Sequence, residues 1–229
     1  MSSTLIPSMK ETLFDPAISN MGDSLIEIAE IGLDSVLDDG ILKDIPILGS
    51  IAGLCKAGLS IRERHLIRQT AAFITSFNAD TISPEKLLEY RKNLETDPKR
   101  ADRELSHVIL LLDRMIEELQ AKMLGKFYKS YVKGGITWEK FCELSEANSR
   151  MFISDYEILE TIGRKPLKQD EVIPDKKMYQ IQRLESLGLI MENRYRPHSD
   201  NILSYQKTGE KYVTSPLGGT FYTLMRGVK

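Results

Sequence analysis

PKRADRELSHVILLLDRMIEELQAKMLGKF, residues 98–127, places Leu105, Val108, Ile109, Leu112, Ile116, Leu119, Met123 and Phe127 in steps of three and four. That spacing puts one apolar stripe along an α-helix and leaves the opposite face polar. Asp97-Pro98 opens the segment with a capping carboxylate and a ring already set for the first helical turn. Gly134-Gly135 closes it. Read as a single element, residues 98–133 form a helix roughly 50 Å long. The first expectation is therefore a mainly α fold.

Working outward, Leu25, Ile28, Ala29, Leu33, Val36 and Leu37 predict a helix from Asp23, closed by Asp38-Asp39-Gly40. A second is predicted from Pro46 through Gly49 and Gly53 as far as Phe77. Ser83-Pro84 starts another, and Thr137 caps a short one through Trp138, Phe141 and Leu144. Pro7 and Pro16 mark residues 1–22 as a loosely packed lead-in.

The pattern changes near residue 150. A capping box at Ser154–Glu157, a helix from Lys176 to Leu187 stopped by Gly188, strand-like runs at 189–191, 202–205 and 211–214, and a closing helix over 217–225 follow in order. The expected architecture is thus a helical domain over 23–150, then a winged-helix-like α+β module over 151–229.

Composition narrows the function classes. The 229 residues are 41% hydrophobic and 28% charged, with a formal net charge of −2, which fits a packed protein and not one that coats nucleic acid by bulk charge. Residues 1–60 hold three basic and nine acidic side chains, residues 61–133 fourteen and eleven, and residues 151–229 twelve and ten. Cys55 and Cys142 are far apart in apolar settings, as expected of a reducing cytoplasm. No basic-then-apolar leader is read at the N-terminus, and no apolar run is long enough to span a bilayer. His65, His107 and His198 are dispersed, and no zinc spacing, phosphate loop, dinucleotide fingerprint or nucleophile elbow is present. No catalytic residue, metal or cofactor is expected.

Three stretches are candidates for function. In IPILGSIAGLCKAGLSI (45–61), Gly49, Gly53 and Ala57 recur every four residues, a small-residue stripe suited to close helix contact, assembly or membrane contact. The basic cluster Arg62, Arg64 and Arg68, with His65, follows directly and reads as a solvated helix face paired with the acidic N-terminal helix; it also suits an acidic partner or lipid phosphates. In the C-terminal module, Lys176, Lys177, Gln180 and Arg183 on one helix, with Arg194 and Arg196 beyond it, are the residue types that bind phosphate and read guanine. The interleaved acids Asp175, Glu185, Glu192 and Asp200 favour a protein partner over DNA there. The stripe and the long helix together predict a homodimer or larger assembly.

LKDIPILGSIAGLCKAGLSIRERHLIRQTAAFI (42–74) resembles bacterial proteins in which an apolar helix leads into a basic one. RLESLGLI (183–190) and YVTSPLGGTF (212–221) resemble the C-terminal winged helix of the bacterial abortive-infection alpha family. The resemblance implies a role in anti-phage defence, with no established chemistry to carry over; the expected function is non-catalytic, in the cytoplasm, with membrane contact on activation through 45–61. A DNA-binding regulator is the alternative.

Overall fold

The computed structural model describes residues 2–19, 21–30, 41–53, 59–79, 82–168, 175–192 and 210–226. It is mainly helical with a small antiparallel sheet, and it divides into two compact units, Met1–Phe141 (with Val228–Lys229) and Cys142–Gly227. The division falls inside the helix Trp138–Ser149 and not at residue 150 as expected, because Trp138 and Phe141 stack at 5.0 Å beside His107 and Tyr131.

In the N-terminal unit the elements are α1 (Ser2–Phe14), α2 (Pro16–Ser19), α3 (Gly22–Glu30), α4 (Ile41–Asp44), α5 (Pro46–Gly53), α6 (Ile61–Asn78), α7 (Pro84–Thr96), α8 (Pro98–Arg114) and α9 (Glu118–Val132), with α10 (Trp138–Ser149) crossing into the second unit. Residues 2–19 are no loose lead-in. Leu5, Met9, Leu13, Phe14 and Ile18 are buried, and the Ile47 amide donates to Thr12 Oγ1 at 3.0 Å, tying α1 to the start of α5. Pro7 sits within α1, where the buried stripe outweighs the hydrogen bond its ring removes. The expected end of the third helix at Asp38–Gly40 lies outside the described residues.

α6 is the central element. It packs against α3, α5, α8 and α9, and Ala71, Ala72, Phe73, Ile74 and Phe77 on it are buried. Its contact with α9 depends on Gly125. A Cβ there would lie 2.5 Å from the Phe73 carbonyl oxygen, so a side chain would force the two backbones apart. Among the described residues of the chain nothing closes on Gly53: it is exposed, and a Cβ on it meets nothing within 4 Å.

The long helix predicted over 98–133 is two helices. Met115 turns extended, with φ −72° and ψ 135°. Residues 115–117 pass between the ends of α8 and α9, and side chains satisfy the exposed backbone groups. His65 Nε2 donates to the Met115 carbonyl at 2.6 Å, and Gln69 Nε2 to the Ile116 carbonyl at 3.2 Å. Gln120 Oε1 accepts from the amides of Ile116 and Glu117 at 3.0 and 3.1 Å. The apolar spacing runs unbroken through the turn, so periodicity alone did not mark it.

A buried polar network links α7, α8 and α9. Glu104, wholly buried, accepts from Tyr90 at 2.6 Å, from Tyr131 at 2.7 Å and from Arg100 Nε at 2.7 Å. Tyr128 and Tyr90 share a further bond at 2.7 Å. Burial pushes the Tyr90 and Tyr128 hydroxyls well above the ordinary phenol range, and burial with the bond to Glu104 pushes Tyr131 up to about 12.

In the C-terminal unit, α11 (Ile153–Arg164), β1 (Leu167–Lys168), α12 (Asp175–Ser186), β2 (Ile190–Glu192), β3 (Glu210–Thr214) and α13 (Pro216–Met225) follow α10. The sheet order is β1-β3-β2, antiparallel throughout, with Leu167 opposite Tyr212 and Ile190 opposite Thr214. The expected capping box at 154–157 lies two residues earlier, where the Phe152 amide donates to Asp155 Oδ2 at 2.8 Å. Ser215 caps α13, and Gly218 allows the Leu189 carbonyl to sit 1.7 Å from where a Cβ would be. The strand expected at 202–205 lies outside the described residues.

Two outcomes are expected. Gly125→Ala should destabilise the protein by about 1–3 kcal/mol through overpacking, while Gly53→Ala changes it by less than about 0.5 kcal/mol; urea unfolding followed by circular dichroism compares the two. The raised tyrosines also fix a pH response. Their protonated forms are favoured in the fold, so their contribution is fully present below the free phenol value of about 10 and falls above it, that of Tyr131 being lost as pH rises through about 12. Urea midpoints should therefore fall above pH 10, and Tyr131→Phe should make that fall shallower.

Candidate functional site

An apolar cavity of about 450 Å³ lies in the N-terminal unit where α1, α5, α6 and α8 meet. Leu5 and Ile6 from α1 and Ile51 from α5 line it, facing Leu66 from α6 and Ile109 and Leu110 from α8. Ser60, Arg62, Glu63, Ser106 and Asp113 form its polar edge. Size and lining match those of binding clefts: mostly apolar, with a few fixed polar groups.

Local sequence fixes that edge. Ser60 and Glu63 form the capping box of α6, the Ser60 amide donating to Glu63 Oε2 at 2.8 Å and the Glu63 amide to Ser60 Oγ at 3.4 Å. Arg62, one turn in, grips Asp113 on α8 with both forks; Nε donates to Oδ1 at 2.9 Å and Nη2 to Oδ2. Those bonds hold the Asp113 carboxyl below its usual range and raise Arg62. The Arg62 side chain still keeps most of its surface in water, at 77% exposure.

Beside the cavity, large apolar side chains stand in solvent. Ile61, between the lining residues Ser60 and Arg62, is 88% exposed, and Leu110 is 62% exposed. Ile116, at the break between α8 and α9, is exposed as well. Apolar side chains exposed next to an apolar cavity suit an interaction surface.

The structure divides the residues singled out from sequence. Of the stripe, Gly49 is half-buried and Gly53 exposed on α5, and Ala57 lies outside the described residues. α5 is eight residues long with Ile47, Leu48 and Ile51 buried, and none of the described helices is long and apolar enough to cross a membrane. Of the basic cluster, Arg62 edges the cavity, Arg64 Nε donates to the Leu59 carbonyl at 3.4 Å, and Arg68 is exposed. Arg62 pairs with α8 and not with the acidic N-terminal helix.

In the C-terminal unit, Arg183 is half-buried and paired within the fold. Its Nε and Nη2 donate to the wholly buried Asp155 at 2.8 and 2.6 Å, and its guanidinium lies 4.6 Å from the centre of the Phe152 ring and 5.7 Å from that of Tyr179. Gln180 is buried. Lys177 is exposed beside a polar cleft with Glu157 and Thr161. Lys176 belongs to α12, its side chain outside the described set, as are Arg194 and Arg196.

Sequence reading missed the α8 side of the cavity. Ile109-Leu110-Leu111-Leu112 is the signal it passed over: four consecutive apolar residues cover every side of a helix, so one had to face outward. Among the described residues no group of histidines, cysteines and carboxylates is arranged to hold a metal ion. No family model matches the chain, and no curated protein or solved structure is significantly similar to it.

Arg183→Ala should destabilise the C-terminal unit by about 3–5 kcal/mol, because it strands the Asp155 carboxylate in the core. Asp155→Asn combined with Arg183→Gln should recover a good part of that loss in denaturant unfolding.

Proposed function

We propose that this chain is a non-catalytic interaction protein of the anti-phage defence type, whose N-terminal unit binds an apolar protein segment. The observation that carries the binding reading is the apolar cavity between α1, α5, α6 and α8, with Ile61 and Leu110 exposed beside it. The defence role rests on the resemblance of 183–190 and 212–221 to the abortive-infection alpha family. Contact occurs in the cytoplasm, and the partner is a protein and not a bilayer: the apolar residues of α5 that a bilayer would need are used in the core.

The C-terminal unit is read as a winged-helix-like module. Helix, strand, helix, two antiparallel strands and a closing helix, with the first strand beside the last, support that reading. The same order is the specific observation in favour of the alternative, a DNA-binding regulator. Against it, Arg183 and Gln180 face inward.

Cells expressing the chain should resist at least one phage of a diverse panel, with Leu110→Glu abolishing protection while leaving the melting temperature unchanged. Protection untouched by Leu110→Glu would remove the cavity from the function. Duplex DNA should not be retained even at low salt. Retention that weakens by about 0.9 log unit per contacted phosphate for each log unit of salt would favour the regulator instead.

A further inference from the structure

The cavity of the N-terminal unit and the apolar side chains beside it are complementary to each other. Ile61 fills no space in its own molecule and yet lies next to a space lined by Leu66, Ile109 and Leu110. We propose that the segment bound there belongs to a second copy of this chain, the two molecules related by a two-fold axis so that each Ile61 enters the other's cavity. This rests on the reading of the cavity as a protein-binding surface and names its occupant.

Charge selects that occupant. Among the described residues the polar edge carries one cation, Arg62, and two carboxylates, Glu63 and Asp113. A strongly acidic segment would meet both carboxylates, and a strongly basic one would meet Arg62. An edge with the same alternation, turned by the two-fold, sets each Arg62 against the partner's carboxylates. The Arg62 side chain has free surface for this, since most of it stays exposed beside its two bonds to Asp113. In an isologous contact every favourable pair is made twice. The small-residue stripe and the unbroken long helix, from which self-association was expected, play no part in it.

Sedimentation equilibrium of the full chain over a wide concentration range tests the proposal. The wild type should be a dimer at low micromolar concentration. Ile61→Asp and Leu110→Glu should each be monomeric there, with unchanged circular dichroism and melting temperature because both side chains are exposed. Arg62→Glu should weaken the dimer at low salt, where like charges then face each other. A wild type that stays monomeric to high micromolar concentration overturns the proposal, as does a dimer that both apolar variants leave intact. A monomeric wild type whose protection of cells is still lost with Leu110→Glu overturns self-association alone and leaves the cavity as the docking site for a different protein.

Discussion

α9 can lie directly on α6 because residue 125 has no side chain. At 2.5 Å from the Phe73 carbonyl to the position of a Cβ, the two helices are as close as their backbones allow. On either side of that point Phe73, Phe77, Phe127 and Tyr128 are almost wholly buried, with Phe73 and Phe77 each about 6 Å from Tyr128 between ring centres. Close-packed aromatics make the contact rigid as well as apolar. α6 also carries α3, α5 and α8, so the placement of most of the N-terminal unit is referred to this one crossing.

The break at 115–117 follows from the same geometry. α8 and α9 both pack on α6, and a straight rod over 98–133 would leave α6 partway along its length. The chain turns instead, and the cost of ending and restarting a helix is met from α6 itself, where His65 and Gln69 take up the two carbonyls exposed at the turn. His65 and Gln69 lie one and two turns beyond Ile61, on the helix whose Arg62 holds Asp113. The contacts that fix the turn therefore also fix the C-terminal end of α8 against the start of α6. The cavity lies at that junction, and its shape is a by-product of helix termination.

Much of the helical framework was legible because local chemistry announced it. Ser83-Pro84 and Asp97-Pro98 start helices as read, Thr137 accepts from the Lys140 amide, and the described elements after residue 150 follow the expected order except for β1, a strand between two helices where none was expected. What escaped reading was set by distant partners. Nothing in residues 112–118 differs from a continuing helix until His65 and Gln69 are brought alongside. Pro7 reads as punctuation until Leu5, Met9 and Leu13 find a core. Gly53 and Gly125 look alike in sequence, yet one faces open space and the other a backbone carbonyl. Of the site, Arg62 was found by its charge, while its counter-ion Asp113 and the apolar wall on α8 needed the tertiary pairing of elements some fifty residues apart.

The same principle governs how far the C-terminal unit's fold informs its function. Arg183 has the residue type and the helix position expected of a base-reading side chain, and a sequence pattern says no more than that. Its guanidinium is already committed to Asp155 with two bonds, and reading guanine bidentately would require releasing them. Stranding a buried carboxylate costs about 3–5 kcal/mol, and a bidentate base contact returns about 1–3 kcal/mol of discrimination. The exchange runs uphill. Residues 142–227 as a whole hold twelve basic and twelve acidic side chains, so no surplus of charge makes up the difference. A helix in the position of a recognition helix is therefore weak evidence for nucleic acid when its best donor is spent inside the fold. The bond between Asp155 and Arg183 instead fixes the entry to α11, through the Phe152 amide, onto α12, and in doing so fixes where the exposed rings of Phe152 and Tyr179 stand.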